Sequence, residues 1–496
     1  MKNKIITHSF GALTVNQFFG FVSIPCRFVC CCIVFFCGFV PSQLAANNII
    51  IASSAELKTS LDIVKPGDIL TFKNGSWRDA QIIIGKGGEP GKPVKIQAES
   101  PGGAIFSGSS FLELNAPYVT VDGLLFQKGA LKKGSVIQFN SHHAIVQNTA
   151  IIDYNPASFE TKYYWVFFSG VSNLIDRCYF KGKSNMQPLV GNAGQSSRYN
   201  TVTRSFFKDV PYNDANGREI FRIWGYGNSE ELGEDGAYFT ISSNLFDHAD
   251  GEGAEIISLK SNHNLVLRNT IIATRGCINI RSGNYNTIRE NIVLGQGLNG
   301  AFGVRMAGQN HVVQDNYISG CTYGFELTTG EFIDEDLTGK YVPLPRAGTP
   351  LGRVPHYSQI KNLTLTGNVV VGSHRQDLQI GGSYKSSWPQ RQLVLIPEGC
   401  LIESNRFVRP KGGASVVGAI PDTNPPVNRF SFKPNRYAGN LLIGGDNGFA
   451  PALDGFKQQP VPGDWSEQQE LMNFKVLTPA EVGPDWLNEK SSHSHL

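Results

Sequence analysis

The sequence is poor in charge and, beyond its first 37 residues, poor in cysteine. Only 17% of its 496 residues are charged and the formal net charge is +3, so a general nucleic-acid-binding role is not expected. Five of the nine cysteines fall within the first 37 residues, and the other four are widely spaced without a C-x-x-C pair. We therefore expect neither a zinc site nor a disulfide framework.

A long apolar segment is also missing, since no run reaches the length of about 20 residues that a membrane-spanning helix needs. The apolar run Phe28–Val40 follows the basic residues Lys2 and Lys4 and precedes small residues that end at Ala46. This order is typical of an export signal. We expect residues 1–46 to be a signal peptide and the mature protein to be periplasmic or secreted, without a stable membrane span. An uncleaved anchor is the alternative.

Long helical patterns are scarce, and short β-rich segments broken by Gly, Asn and Ser extend from about residue 80 to 410. An asparagine followed two places later by an apolar residue recurs at Asn244, Asn269, Asn291 and Asn316, in steps of 25, 22 and 25 residues. A period in the low twenties with three short strands per repeat is typical of a parallel β-helix. We expect the asparagines to be architectural, at left-handed coil corners or in a hydrogen-bonded ladder.

The domain organisation follows from where this repeat begins and ends. The sequence predicts an all-β chain with one single-stranded parallel β-helix over residues 47–440. Residues 47 to about 80 combine a short helix with strand and would cap the open end of the solenoid. Acidic and Pro-rich sequence predicts a long loop at residues 327–360. Residues 441–496 are expected to form an extension that packs on the solenoid or trails from it.

Three cations recur with the period of the repeat. Arg281 follows Lys260 by 21 residues and Arg305 follows Arg281 by 24. We expect them at similar places on successive coils, in one cationic column. Like charges stacked at about 5 Å repel one another unless an anion lies among them, and their repulsion lowers the pKa of a lysine, as a general base requires. Ordinary solvated surface charges are the alternative.

Acidic residues precede the lysine, at Asp247, Asp250, Glu252 and Glu255. Because side chains alternate along a strand, Glu255 and Lys260 would point to opposite faces unless a bulge intervenes. The carboxylates would form ion pairs or supply oxygen ligands for a Ca²⁺ ion that neutralises a substrate carboxylate.

Several short segments share their order and spacing with one known family. They are Asn74–Trp77, Gly91–Pro93, Tyr118–Gly123, Asn216–Glu219, Arg222–Ile223, Glu255–Ser261, Asn279–Gly283, Gly303–Arg305 and Leu477–Leu487. Together they resemble polysaccharide lyase family 6, which contains alginate lyases and chondroitinase B. The last segment resembles the closing segment of the alginate-lyase branch.

The resemblance implies a right-handed parallel β-helix and a β-elimination at a uronic acid. By resemblance, Lys260 takes the C5 proton, Arg281 acts as the acid toward the leaving glycosidic oxygen, and Arg305 binds a uronate carboxylate. A cation on the substrate carboxylate would stabilise the enolate-like intermediate.

The resemblance also implies a calcium site at Asn216, Glu252 and Glu255, although two positions depart from the family pattern. Family members commonly carry Glu-Ala-Glu, whereas an extra glycine stands between Glu252 and Glu255 here, and a bulge would be needed to restore the geometry. The residue after the catalytic arginine, commonly His, is Ser282. Trp224, beside a core-like strand, is expected to pack rather than to bind sugar.

Alginate is the preferred substrate, on the closing segment and the Gly-Val-Arg context of Arg305. A chondroitin or dermatan sulfate lyase, with the same chemistry on a sulfated chain, is one alternative. A non-catalytic glycan-binding β-helix is the other. The Asp-Pro-His-Glu signature of the C5-epimerases, which share the first proton abstraction, is absent from the sequence.

Overall fold

The computed structural model describes residues 46–225, 235–333, 357–381, 391–418, 431–449 and 451–487. Nearly all regular elements in these ranges are short strands that form three long parallel sheets. Successive strands of one sheet belong to successive coils of the chain, so the predicted parallel β-helix is confirmed. No helix in the described ranges is long and apolar enough to span a membrane. The predicted signal peptide lies outside them, apart from Ala46.

Each coil contributes one strand to each of the three sheets, which we number in the order in which the chain enters them. Sheet 1 consists of Asn48–Ile51, Ile69–Phe72, Val94–Ala98, Val119–Asp122, Ile145–Gln147, Leu174–Asp176, Thr201–Thr203, Thr240–Ser242, Leu265–Leu267, Thr287–Arg289, Val312–Gln314, Thr364–Thr366, Leu401–Glu403 and Arg436–Ala438. Sheet 2 consists of Gly75–Arg78, Ala104–Gly108, Leu125–Gly129, Ala150–Ile152, Tyr179–Lys181, Phe206–Val210, Leu245–Ala249, Thr270–Ile272, Ile292–Leu294, Tyr317–Ser319, Val369–Val371, Arg406–Val408, Asn440–Ile443 and Phe456–Gln459. Sheet 3 consists of Gln81–Ile84, Phe111–Leu114, Ser135–Phe139, Tyr164–Phe168, Val190–Asn192, Phe221–Trp224, Glu255–Lys260, Gly276–Ser282, Ala301–Met306, Phe325–Leu327, Leu378–Ile380, Ala414–Gly418 and Asp446–Asn447.

The core lies inside the coils, where apolar residues stack from one coil to the next. In sheet 1, Ile241, Val266, Ile288 and Val313 are consecutive register partners, and all four are fully buried. Short strands with one apolar position per turn therefore suffice, because each coil buries its inner face against its neighbours. Four cysteines lie in the described ranges, and Cys178, Cys277, Cys321 and Cys400 are all buried free thiols.

The recurring asparagines form a buried ladder in the turn before sheet 2. The backbone N–H and side-chain amide of Asn269 both donate to Oδ1 of Asn291, which makes the same pair of bonds to Asn316. The predicted architectural role is therefore confirmed. The left-handed backbone at this corner belongs instead to the preceding residue, such as Arg268 with φ 52° or Glu290 with φ 57°.

The N-terminal segment begins with the strand Asn48–Ile51, which pairs with the next strand of sheet 1, and the predicted short helix follows as Ser54–Ile63. Leu57 and Leu61 of that helix join the main core. The helix therefore covers core residues of the first described coil, at the N-terminal end of the described solenoid.

Coils continue past residue 440, so the boundary set there falls inside the solenoid: sheet 2 ends only with Phe456–Gln459. A short helix, Glu467–Leu471, follows. The chain then returns along sheet 2, where the Leu477 N–H donates to Thr270 Oγ1 and the Trp486 indole N–H donates to the Asn148 carbonyl. The described part of the predicted 327–360 loop includes Gly330–Ile333, which pairs antiparallel with Arg391–Leu395.

Candidate active site

The three predicted cations lie on adjacent strands of sheet 3, in three successive coils. Their register differs from a straight column, because Lys260 pairs with Ser282 and Arg305 pairs with Asn279. Arg281 therefore lies between the two pairs. A register shift between Leu259 and Lys260 causes part of this offset, which the repeat period alone did not predict.

A second register shift lies between Glu255 and Ile257, at the predicted acidic residues. It is the bulge that the sequence requires if Glu255 and Lys260 are to reach one face. Oxygen atoms of Glu219, Glu252 and Glu255 lie within 4.8 Å of one another, and all three residues are buried. Two of the three were predicted. Asn216 is exposed, and Glu219, at the end of the same motif, belongs to the carboxylate cluster.

The carboxylate cluster has the chemistry of a hard-cation site. Oxygen ligands bound at about 2.4 Å to a single Ca²⁺ lie at most about 4.8 Å apart. Neither carboxylate oxygen of Glu219 has a hydrogen-bond partner among the described residues, although its side chain is fully buried. Burial, and then the charges of Glu219 and Glu255, raise the pKa of Glu252 to about 7. A bound divalent cation would give the Glu219 oxygens a partner and would offset the repulsion that raises the pKa of Glu252. These residues therefore fit Ca²⁺.

Hydrogen bonds from neighbouring residues orient two of the three carboxylates, those of Glu252 and Glu255. Glu252 Oε2 accepts hydrogen bonds from the backbone N–H groups of Gly217 and Arg218, at 2.6 and 3.2 Å. Glu255 Oε1 accepts a 2.6 Å bond from the side-chain amide of Asn279. In each of these two carboxylates, hydrogen bonds therefore hold one oxygen in place.

Lys260 lies against both the cluster and an aromatic ring. Its Nζ atom is 3.5 Å from Oε1 of Glu219 and 4.9 Å from the ring centroid of Trp224. Trp224 was expected to pack in the interior, but its side chain faces outward and the residue is 37% exposed. It lies directly beside Lys260 in register.

The two arginines have different partners. Arg281 Nε is 3.8 Å from Glu255 Oε1, and its guanidinium carbon lies 4.1 Å from the ring centroid of Tyr357. Arg305 Nε donates a 2.8 Å hydrogen bond to Glu326 Oε2. Tyr357 was not predicted, because it lies within the predicted 327–360 loop and no local motif marks it.

One further arginine, Arg222, continues the same sheet toward the N-terminus. Its Nη2 group donates to the side chains of Gln187 and Tyr164, at 3.0 and 3.4 Å, and its Nη1 atom is 3.7 Å from Glu219. Gly191 allows this arrangement, because a Cβ atom there would lie 2.5 Å from the Tyr164 ring.

A lysine and two arginines on adjacent strands of sheet 3, beside a buried carboxylate cluster, suit an anionic substrate. The sequence model of the Chondroitinase B family matches residues 51–324. A polysaccharide lyase family 6 enzyme from Pseudopedobacter saltans is 44% identical over 88% of this chain and 99% of its own, with a TM-score of 0.77. The chain belongs to polysaccharide lyase family 6.

Other solved family 6 structures share the fold of this lyase at lower identity. A mannuronic acid specific family 6 lyase from human gut microbiota is 24% identical, covers 89% of this chain and 97% of its own, and has a TM-score of 0.72. A family 6 alginate lyase is 21% identical over 90% of this chain and 59% of its own, with a TM-score of 0.71. No curated protein matches the sequence.

Proposed function

We propose that this family 6 lyase cleaves alginate, a polyuronate, by β-elimination and leaves an unsaturated uronate end. The observation that carries the proposal is the position of Lys260 and Arg281 on adjacent coils, each within 4 Å of a carboxylate of the Glu219, Glu252 and Glu255 cluster. The alginate and mannuronic acid activities named for two structural relatives support the choice of polymer.

The chemistry assigns one role to each cation. Lys260, as the general base, removes the C5 proton of the uronate. The electrons of the C5–H bond form the C4–C5 double bond as the C4–O bond breaks, and Arg281 delivers a proton to the departing oxygen. Arg305 binds a uronate carboxylate, for which the planar guanidinium is suited. Its pairing with Glu326 orients it for this contact.

Glu219, Glu252 and Glu255 would hold a Ca²⁺ ion, and the exposed Asn216, predicted together with Glu252 and Glu255, is a further candidate ligand. Calcium bound there would neutralise the substrate carboxylate and so make the C5 proton more acidic. Export to the periplasm or the exterior, directed by residues 1–46, is part of the same proposal because an extended polysaccharide is met outside the cytoplasm.

Dermatan sulfate is the second candidate substrate, because the matching family model is that of Chondroitinase B. A sulfated chain uses the same elimination at a uronate. A glycan-binding β-helix without catalysis is the third possibility, and it predicts that Lys260 is dispensable.

The test is to incubate the purified chain with alginate, polymannuronate, polyguluronate and dermatan sulfate, and to follow the ultraviolet absorbance of the unsaturated uronate. Lys260→Ala should lower kcat by about 10²- to 10⁴-fold, the usual contribution of a general base. Lys457→Ala, at an exposed lysine of sheet 2, is the matched control. Each protein is also assayed after chelation and after Ca²⁺ is restored.

Absence of product from all four polymers would refute the lyase proposal. Product from dermatan sulfate alone would select the second candidate. Full activity of Lys260→Ala would reject the mechanism while leaving the family membership intact.

A further inference from the structure

The extra glycine that separates Glu252 from Glu255 has a structural consequence beside the carboxylate cluster. Gly253 has a φ of +74°, and a Cβ atom at this position would lie only 2.4 Å from the ring of Tyr212. The absence of a side chain at Gly253 therefore allows the Tyr212 ring to lie against the backbone that connects the two glutamates. Nonetheless, Tyr212 stays 51% exposed to solvent.

A cation accompanies this ring. The guanidinium carbon of Arg275 lies 5.1 Å from the Tyr212 ring centroid, within the range of a cation–π contact. The Arg275 backbone N–H donates to Asp250 Oδ1 at 2.8 Å, and its Nη1 group donates to the carbonyl of Asn299. These bonds fix the arginine while its side chain stays 33% exposed.

We propose that Tyr212 and Arg275 form a subsite for a uronate residue that flanks the residue being cleaved. An exposed aromatic ring beside a fixed guanidinium matches a pyranose with a carboxylate: the apolar C–H surface of the sugar packs on the ring, and the carboxylate meets the arginine. The subsite adjoins the catalytic centre through Gly253, the neighbour of Glu252. This inference rests on the proposed polyuronate substrate.

The first experiment measures binding without turnover. In a Lys260→Ala background, the affinity for a polymannuronate oligosaccharide series is determined by calorimetry, with and without Tyr212→Ala. We expect Tyr212→Ala to weaken binding of the longer oligosaccharides by about 10-fold and that of the shortest ones less, because only long chains reach a flanking subsite. Tyr199→Ala, at a 54% exposed tyrosine on another corner of the solenoid, is the matched control.

Two further variants separate the contributions of ring and charge. Tyr212→Phe keeps the ring and should retain most of the affinity that Tyr212→Ala loses. Arg275→Gln removes the charge and should weaken binding of long oligosaccharides while making the remaining affinity less dependent on salt. Circular dichroism of each variant establishes that it is folded.

An equal loss at every oligosaccharide length, or no loss beyond that of Tyr199→Ala, would overturn the subsite. These outcomes are distinct from failure of the proposed function, which is absence of unsaturated product when the unmodified protein meets any uronate polymer. If the unmodified protein is inactive and also fails to bind the oligosaccharides, the subsite is rejected together with the function.

Discussion

Nζ of Lys260 lies 3.5 Å from Oε1 of Glu219, a carboxylate whose side chain is fully buried. The two residues are 41 positions apart in sequence but occupy neighbouring coils, where Lys260 is the register partner of Trp224 just beyond Glu219. The proposed base and the proposed cation site therefore share a contact. A change at either residue will therefore affect the other.

Glu219→Gln keeps the shape of the side chain and removes one of the three carboxylate charges. We expect the Ca²⁺ affinity, measured by calorimetry, to fall by about 10-fold or more, since cation affinity depends on the number of charged ligands. Lyase activity at low Ca²⁺ should fall and partly recover as Ca²⁺ is raised. Glu290→Gln, a partly exposed glutamate at a sheet 1 corner, is the control. Unchanged Ca²⁺ affinity would remove Glu219 from the site.

Tyr357 is predicted to position Arg281 through its ring, which lies 4.1 Å from the guanidinium carbon. Tyr357→Leu should lower kcat by about 5- to 10-fold, as expected from the loss of about 1 kcal/mol in cation–π energy. Tyr357→Phe keeps the ring and should retain most of kcat. If both variants lose the same factor, the hydroxyl is the important group and the stacking explanation is wrong.

The sequence predicted the solenoid because the determinants of this fold are local and repeated. Each coil carries its own asparagine, and the steps between Asn244, Asn269, Asn291 and Asn316 are the lengths of single coils. The C-terminal end of the solenoid was harder to predict. The last strand of sheet 2, Phe456–Gln459, lacks the full repeat but still pairs with Asn440–Ile443.

The candidate site was predicted in part, for the same physical reason. Lys260, Arg281 and Arg305 follow the repeat period, so their presence on one sheet could be predicted. Their offset arises from register shifts that depend on backbone packing. Glu219 ends the Asn216–Glu219 segment, of which only Asn216 was predicted as a ligand, and Tyr357 carries no sequence signal.

The asparagine ladder should contribute strongly to stability, and Asn291→Ala tests this. Its side-chain amide donates to the carbonyls of Val266 and Arg289 as well as to Asn316. Loss of the side chain leaves several buried groups unpaired, so the free energy of unfolding should fall by about 3 kcal/mol or more. Urea titration measures this change, with Thr287→Ala in the same coil as the control. A decrease below about 1 kcal/mol would mean that water replaces the lost bonds.

A histidine takes the place of asparagine in a second ladder, and it should make the fold sensitive to acid. His311 is fully buried; its Nδ1 accepts the backbone N–H of Asn286, and its Nε2 lies 3.0 Å from the Ala307 carbonyl, to which it donates. This pattern requires the neutral ring. Burial, the largest effect, lowers the pKa of His311 from 6.5 to about 4.

The sign of the pH dependence follows from this lowered pKa. Between about pH 6.5 and pH 4 the unfolded chain binds a proton at His311 that the folded chain does not, so the folded state loses stability as the pH falls through this window. The total loss should be about 3 kcal/mol. His311→Asn supplies an acceptor that does not titrate, as Asn286 does for Asn264 one coil earlier. Urea titrations at pH 7 and pH 4 should therefore show a smaller difference for His311→Asn than for the unmodified chain, whereas the exposed-site control His374→Asn should match the unmodified chain. Equal acid sensitivity of all three proteins would show that His311 is not the group responsible.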